Sequence, residues 1–155
     1  MNRIAIPKHE WDERIQELLS SWNFYAPVEN EFGCDYALIE KETIPTIVYN
    51  KAKPVTPLKK YFLPVKENVT LENASGKKKI VLGVPNCDVM ALGLLDQIYL
   101  DKEYDDPAYG QRRENTTLIA TDCLSIQDHC HCTSYDIQPI ANEGADLSLV
   151  LLEDQ

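Results

Sequence analysis

The stretch KIVLGVPNCDVMALGLLDQIYL, residues 79–100, decides how this 155-residue chain is read. After Lys79 its first residues form an apolar, β-branched run, the composition of a strand buried on both faces. Pro85 ends that run, and Asp88 stands where it can cap a helix from about residue 89 to 100. Met90, Leu94, Leu95, Ile98 and Tyr99 would give that helix a broad apolar face. A second strand-like run, residues 118–121, comes after a polar and aromatic stretch, 101–115, in which Pro107 and Gly110 break any long helix. Strand, helix and strand in this order predict a βαβ unit with parallel pairing. A third apolar run, residues 147–152, predicts another sheet strand.

Upstream of this unit, Trp11, Ile15, Leu18, Leu19 and Trp22 recur at helical spacing and predict an amphipathic helix over about 9–22. Residues 36–39 and 46–49 read as short strands around a polar turn at 40–43, a candidate hairpin. The segment KAKPVTPLKKYFLP, residues 51–64, holds three prolines and predicts an extended strand or ordered loop. No repeat or internal boundary interrupts the chain. The expectation is one α/β domain over residues 1–155: a small mixed, partly parallel sheet with flanking helices, its cysteine-bearing core running from about 79 to 155.

A chain of this length buries a core without disulfide staples. Its formal charge of -10 repels phosphate backbones and argues against nucleic acid as a partner. Lys51, Lys53, Lys59 and Lys60, and the run Lys77 to Lys79, are local exceptions that read as solvated loop and turn, or as a docking patch for an acidic partner. The first residues lack the apolar core of a secretory signal, and no run approaches the roughly 20 apolar residues of a membrane span. A cytoplasmic protein without membrane insertion is expected. In that reducing compartment five cysteines, an odd number, read as ligands or catalysts before disulfides.

Three of the five, Cys123, Cys130 and Cys132, fall with His129 and His131 in ten residues directly after the second strand run. Cys87 sits where the first strand run ends and the helix begins, so both cysteine sites are strand exits. In an open parallel sheet, ligands gather beyond the carboxyl ends of strands. A thiolate near a helix N-terminus is favoured by the positive end of the dipole, which suits a metal ligand and equally a nucleophile. Cys87, Cys123, Cys130 and Cys132 are therefore the candidate ligands of one metal centre. Two cysteines separated by one residue require a turn to reach a common centre, a geometry that suits a bulky iron-sulfur cluster better than the paired knuckles of structural zinc. The spacing is also not the cysteine run of a bacterial ferredoxin. His129 and His131 are alternative imidazole ligands, and Cys34, with no second cysteine near it in sequence, reads as a small core or loop residue.

The blocks GVPNCDVMALGLLDQIYL, DPAYGQRRENTTLIATDC, CHCTS and GADLSLVLLED resemble, in this order, the N-terminal region of the sulfhydrogenase beta and anaerobic sulfite reductase A subunits. The matching elements are Gly83 to Ala91, Asp106 to Asn115 and Cys130 to Ser134, and KKYFLP is similar to a lysine-rich, proline-flanked strand of that family. The resemblance implies an iron-sulfur electron-transfer subunit working between a flavin-bearing, NAD(P)H-oxidising subunit and a catalytic hydrogenase or sulfite reductase subunit. Cys87, Cys123, Cys130 and Cys132 fall on its cysteine-bearing motifs, which implies a 4Fe-4S cluster there. The family's further ferredoxin-like domain, with its own cysteine runs, has no counterpart in this sequence. His131 stands where the family has an aromatic residue.

Three functions remain open at this point. An electron relay, non-catalytic in itself, agrees with both the ligand set and the resemblance. A zinc-stapled interaction domain without redox activity uses the same cysteines. A thiol enzyme would use Cys87 as nucleophile with a nearby histidine as base. Arg112 and Arg113 with Glu114 read as ion-pairing residues that steady the cysteine loop, or as a docking point.

Overall fold

The computed structural model describes residues 3–50, 54–63, 77–126 and 130–152. Five strands form one sheet in the order β2-β1-β3-β4-β5. They are β1 (Asn23–Asn30), β2 (Gly33–Leu38), β3 (Lys79–Val84), β4 (Thr116–Thr121) and β5 (Leu147–Leu149). β1, β3, β4 and β5 run parallel, and β2 returns antiparallel along the outer edge of β1. The expected α/β fold with a mixed, partly parallel sheet is what forms, and β3 and β4 are its parallel core.

β3 is buried along five of its six positions, as its unbroken apolar run requires. Ile80 and Leu82 face one layer, with Phe24, Ala26 and Ile119 from the neighbouring strands. Helix α1 (Lys8–Leu18) covers that layer with the fully buried Ile15. The helix is shorter than the predicted 9–22: Leu19 caps it, and Trp22 closes back by donating its amide to the Leu18 carbonyl at 2.9 Å. Both side chains still pack on the layer, so the apolar stripe outlasts the helix.

Val81, Leu118 and Ala120 face the other layer, against α2 (Asn86–Tyr99), α3 (Pro107–Glu114) and the short 3-10 turn Leu58–Tyr61. Val84 joins this layer although it lies two residues after Leu82, because the β3–β4 register shifts between Leu82 and Val84. One inserted residue reverses the facing of the residues after it. That residue is Gly83, at φ 79°, where a Cβ would stand 2.5 Å from the Pro27 ring. Positive φ and the approach of β1 both demand glycine.

The predicted hairpin is displaced. Residues 46–49 form no strand: Lys41–Thr46 is a 3-10 turn, and Ile47 makes one isolated bridge to Val28. The true hairpin is β1–β2, with Tyr25 opposite Leu38 and Asn30 opposite Gly33. β1 tolerates Pro27 because its pairing with β3 covers only Asn23 to Tyr25, so no ladder bond to β3 is missing.

Helix α2 begins three residues earlier than predicted. Its N-cap is Pro85, whose side chain makes no capping bond, and Asp88 lies buried inside the first turn rather than at the cap. Apolar residues lie on more than one face of this helix, and the predicted face of Met90, Leu94, Leu95, Ile98 and Tyr99 is not the stripe that is buried. Val89 and Leu92 are buried, Leu95 and Tyr99 pack at the margin, and Met90, Leu94 and Ile98 lie outside. Within the stretch expected to lack a long helix, α3 is a short one. The Asp106 carboxylate caps it by accepting from the Ala108 and Tyr109 amides, and Pro107 fills the first turn. Tyr109, fully buried, donates its hydroxyl to Asp96 of α2 at 2.6 Å. Arg113 pairs with the same carboxylate and Arg112 donates to the Phe62 carbonyl, so both arginines reach the α2 and Leu58–Tyr61 layer, not the cysteine loop. In the 51–64 segment, residues 51–53 and 64 lie outside the described residues; the rest carries the 3-10 turn. No helix is long and apolar enough to cross a membrane, among the described residues.

Candidate metal centre

β3 and β4 are adjacent and parallel, and Val84 pairs with Ala120. Cys87 lies three residues beyond the first of these and Cys123 three beyond the second, so the two cysteines leave the same edge of the sheet at the same height. Cys87 occupies the second position of α2, where the amide-rich end of the helix favours a thiolate. Cys123 follows the last residues of β4 and is half-buried.

A strap from the C-terminal part of the chain ties the two exits together. The Gln138 carbonyl accepts from the Asn86 side chain at 2.8 Å, and the next carbonyl, Pro139, accepts from the Cys123 amide at 3.0 Å. The strap descends from the 3-10 turn Cys132–Tyr135, which Asp136 closes in the left-handed region at φ 54° and the Ile137 amide completes by donating to the Cys132 carbonyl. Cys132 is thus fixed six residues before the contact with Asn86. Past the strap, Ala141 is buried against the α2 layer and Gly144 lies so near Val89 that a Cβ would stand 2.8 Å from it.

The thiols form two groups around this edge. Burial pushes the Cys123 thiol up from its ordinary value, the backbone contact with Ser125 opposes this in part, and the neighbouring charges of Cys130 and Cys132 add smaller upward pushes. The Cys123 thiol donates to the Ser125 carbonyl at 3.1 Å. Burial also raises the adjacent Asp122 carboxyl, against a smaller opposing pull from Arg3. Both groups at the β4 exit are therefore held toward their neutral forms by desolvation. The second group is Cys34 and Cys87. Each adds to the electrostatic load on Tyr36, whose hydroxyl is raised well above its usual range first by burial, then by Asp88 and Tyr61, and after these by the two cysteines.

Among the described residues, no three histidine, cysteine or acidic side chains stand together closely enough to hold a metal ion. The four predicted ligands share a sheet edge and Cys123 neighbours Cys130 and Cys132, but they are not gathered into a finished donor set. The soft thiolate donors nonetheless suit an iron-sulfur cluster or zinc in kind. His129 lies outside the described residues, and His131 is exposed at the start of the 3-10 turn.

Two features escaped the sequence reading. Cys34 pairs with Glu29 on the β1–β2 hairpin, at the same end of the sheet as Cys87, and is half-buried. Asn86, directly before Cys87, is the residue that joins α2 to the strap. A polar amide at a strand exit was the available signal for it.

This chain is similar to sulfhydrogenase 2 subunit beta of Pyrococcus furiosus, at 25% identity over 161 residues, covering 99% of this chain and 47% of that protein. The chain spans about half the length of this curated relative. The resemblance read from the cysteine blocks is borne out by this distant relative. No family model matches the chain. No solved structure matches it either.

Proposed function

We propose that this chain is an iron-sulfur electron-transfer domain, holding one 4Fe-4S cluster on Cys87, Cys123, Cys130 and Cys132. It relays electrons between a flavin-containing, NAD(P)H-oxidising subunit and a hydrogenase or sulfite-reductase-type subunit. The observation that carries this reading is the strap, whose consecutive Gln138 and Pro139 carbonyls hold Asn86 beside Cys87 and the amide of Cys123 itself. Similarity to a protein named as a sulfhydrogenase subunit supports the same class of assembly.

When bound, such a cluster takes up and passes on single electrons. The chain's own part is to supply thiolates and hold them. Ligation requires Cys123 to surrender its proton and its bond to the Ser125 carbonyl, so loading releases protons. Cys87 is the ligand carried by the helix, and Cys123, Cys130 and Cys132 supply the other three thiolates.

Anaerobic purification, with the visible spectrum and with iron, sulfide and zinc assayed on one sample, tests this. The expected result is a brown protein that bleaches with dithionite and holds about four irons per chain. Cys87→Ser and Cys123→Ser are each expected to lose most of that iron. A colourless protein with stoichiometric zinc, unchanged after anaerobic reconstitution with iron and sulfide, overturns the proposal in favour of a zinc-stapled interaction domain.

A further inference from the structure

Asn50 is half-buried and its backbone lies in the left-handed region at φ 56°, which asparagine enters more readily than most side chains. From there its backbone and its side chain both reach the β4 exit. The Asn50 amide donates to the Thr121 hydroxyl at 3.4 Å, and its carbonyl accepts from the Leu124 amide at 3.3 Å. Its Oδ1 accepts from the Thr121 hydroxyl and, at 3.1 Å, from the Leu151 amide, while its Nδ2 donates to the Leu151 carbonyl.

The side-chain amide thus meets both backbone groups of Leu151, as a neighbouring strand would. Thr121 and Leu151 lie 71 and 101 residues away in sequence, so these are tertiary bonds and not those of a local turn. Their partners bracket one cysteine. Thr121 and Leu124 flank Cys123, and the carbonyl of Leu149, two residues before Leu151, accepts from the Asp122 amide.

We propose that Asn50 is a positioning residue for the metal centre: clasping Leu151 and bonding on either side of Cys123, it holds that cysteine where its thiolate can join the one from Cys87. The proposal rests on the reading of Cys123 as a ligand. Asn50 acts through Thr121, Leu124 and Leu151 and is not itself a ligand. Its loss frees the backbone around Cys123 before it touches the sheet.

Two readouts on the full chain test this, one of which needs no metal. Asn50→Gly keeps the left-handed backbone and removes the clasp, and Asn50→Asp keeps the accepting oxygen but loses the donor. Ile15→Val, in the α1 layer, is the control for a plain loss of packing. In the reduced, metal-free chain, iodoacetamide is expected to label Cys123 about tenfold faster in Asn50→Gly and about threefold faster in Asn50→Asp, with Cys34 unchanged and Ile15→Val within about twofold of the parent. After anaerobic reconstitution, an iron chelator is expected to strip Asn50→Gly about tenfold faster, and the electron paramagnetic resonance lines of the dithionite-reduced cluster are expected to shift or broaden in that variant and not in Ile15→Val. If Asn50→Gly loses its native circular dichroism, Asn50→Asp decides. An unchanged Cys123 labelling rate overturns the proposal, and so does equal acceleration in Ile15→Val. Labelling that responds in a parent chain unable to take up iron overturns the cluster reading and supports the hold of Asn50 on Cys123.

Discussion

Cys87 leaves β3 directly onto a 14-residue helix, whereas Cys123 leaves β4 into irregular chain, and Cys132 lies on a four-residue 3-10 turn that leads into the strap. The first exit is fixed from three sides: the helix behind it, the Gly83 bulge before it, and the Asn86 bond to Gln138. The second is held by hydrogen bonds from irregular chain: the amides of Asp122, Cys123 and Leu124 donate to the carbonyls of Leu149, Pro139 and Asn50, and the Ile137 amide donates to Cys132. One side of the proposed centre is thus carried by a regular helix and the other by short segments of irregular chain. Low local stability where binding occurs is a common arrangement.

The sharpest way to break this contrast is at Gly83. Gly83→Ala puts a methyl against the Pro27 ring at a backbone conformation that alanine resists, and is expected to cost about 3 kcal/mol in urea unfolding. A loss below about 1 kcal/mol would mean that the β3 exit is no more rigid than the β4 exit. Asn86→Ala addresses the tie between the two. It is expected to cost about 1 kcal/mol and to speed hydrogen exchange at the Cys123 and Ile137 amides, while Val81 and Leu118 keep their protection. Uniform acceleration would show one cooperative unit instead of two. The smallest effect is expected at Cys34→Ser, with stability within about 0.5 kcal/mol and iron per chain unchanged. If iron falls, Cys34 belongs with Cys87 as a ligand and the fixed side of the centre is larger than four cysteines allow.

β3 and β4 were legible because a strand buried on both faces has to be apolar throughout, and α1 because one face of it has to repeat. β1 was not. Phe24, Ala26 and Val28 do alternate toward the α1 layer, but Trp22 extends the preceding helical stripe into them and Pro27 argues against a strand. Missing β1 also moved the hairpin, and with it the place of Cys34, which depends on the β1–β2 register and not on any spacing between cysteines. The same holds for the cavity lined by Tyr25, Tyr36, Lys60, Tyr61, Lys79 and Arg112, whose residues come from five separate segments. Local sequence carries no trace of such a convergence. The cysteine exits, by contrast, were readable from strand ends alone, since parallel neighbours bring their carboxyl ends to one edge whatever lies between them.

The order of the strands has a consequence for the chain as it is being made. Phe24 pairs with Ile80, 56 residues later, so the inner edge of β1 has no partner until that much more chain has been synthesised. At roughly 5–20 residues per second the delay is about 3–11 seconds. During it α1 and the β1–β2 hairpin can assemble, with Phe24 and Ala26 lacking the cover that β3 will bring. A nascent chain of this protein therefore carries an open strand edge for seconds, and β3 is the segment whose emergence closes it.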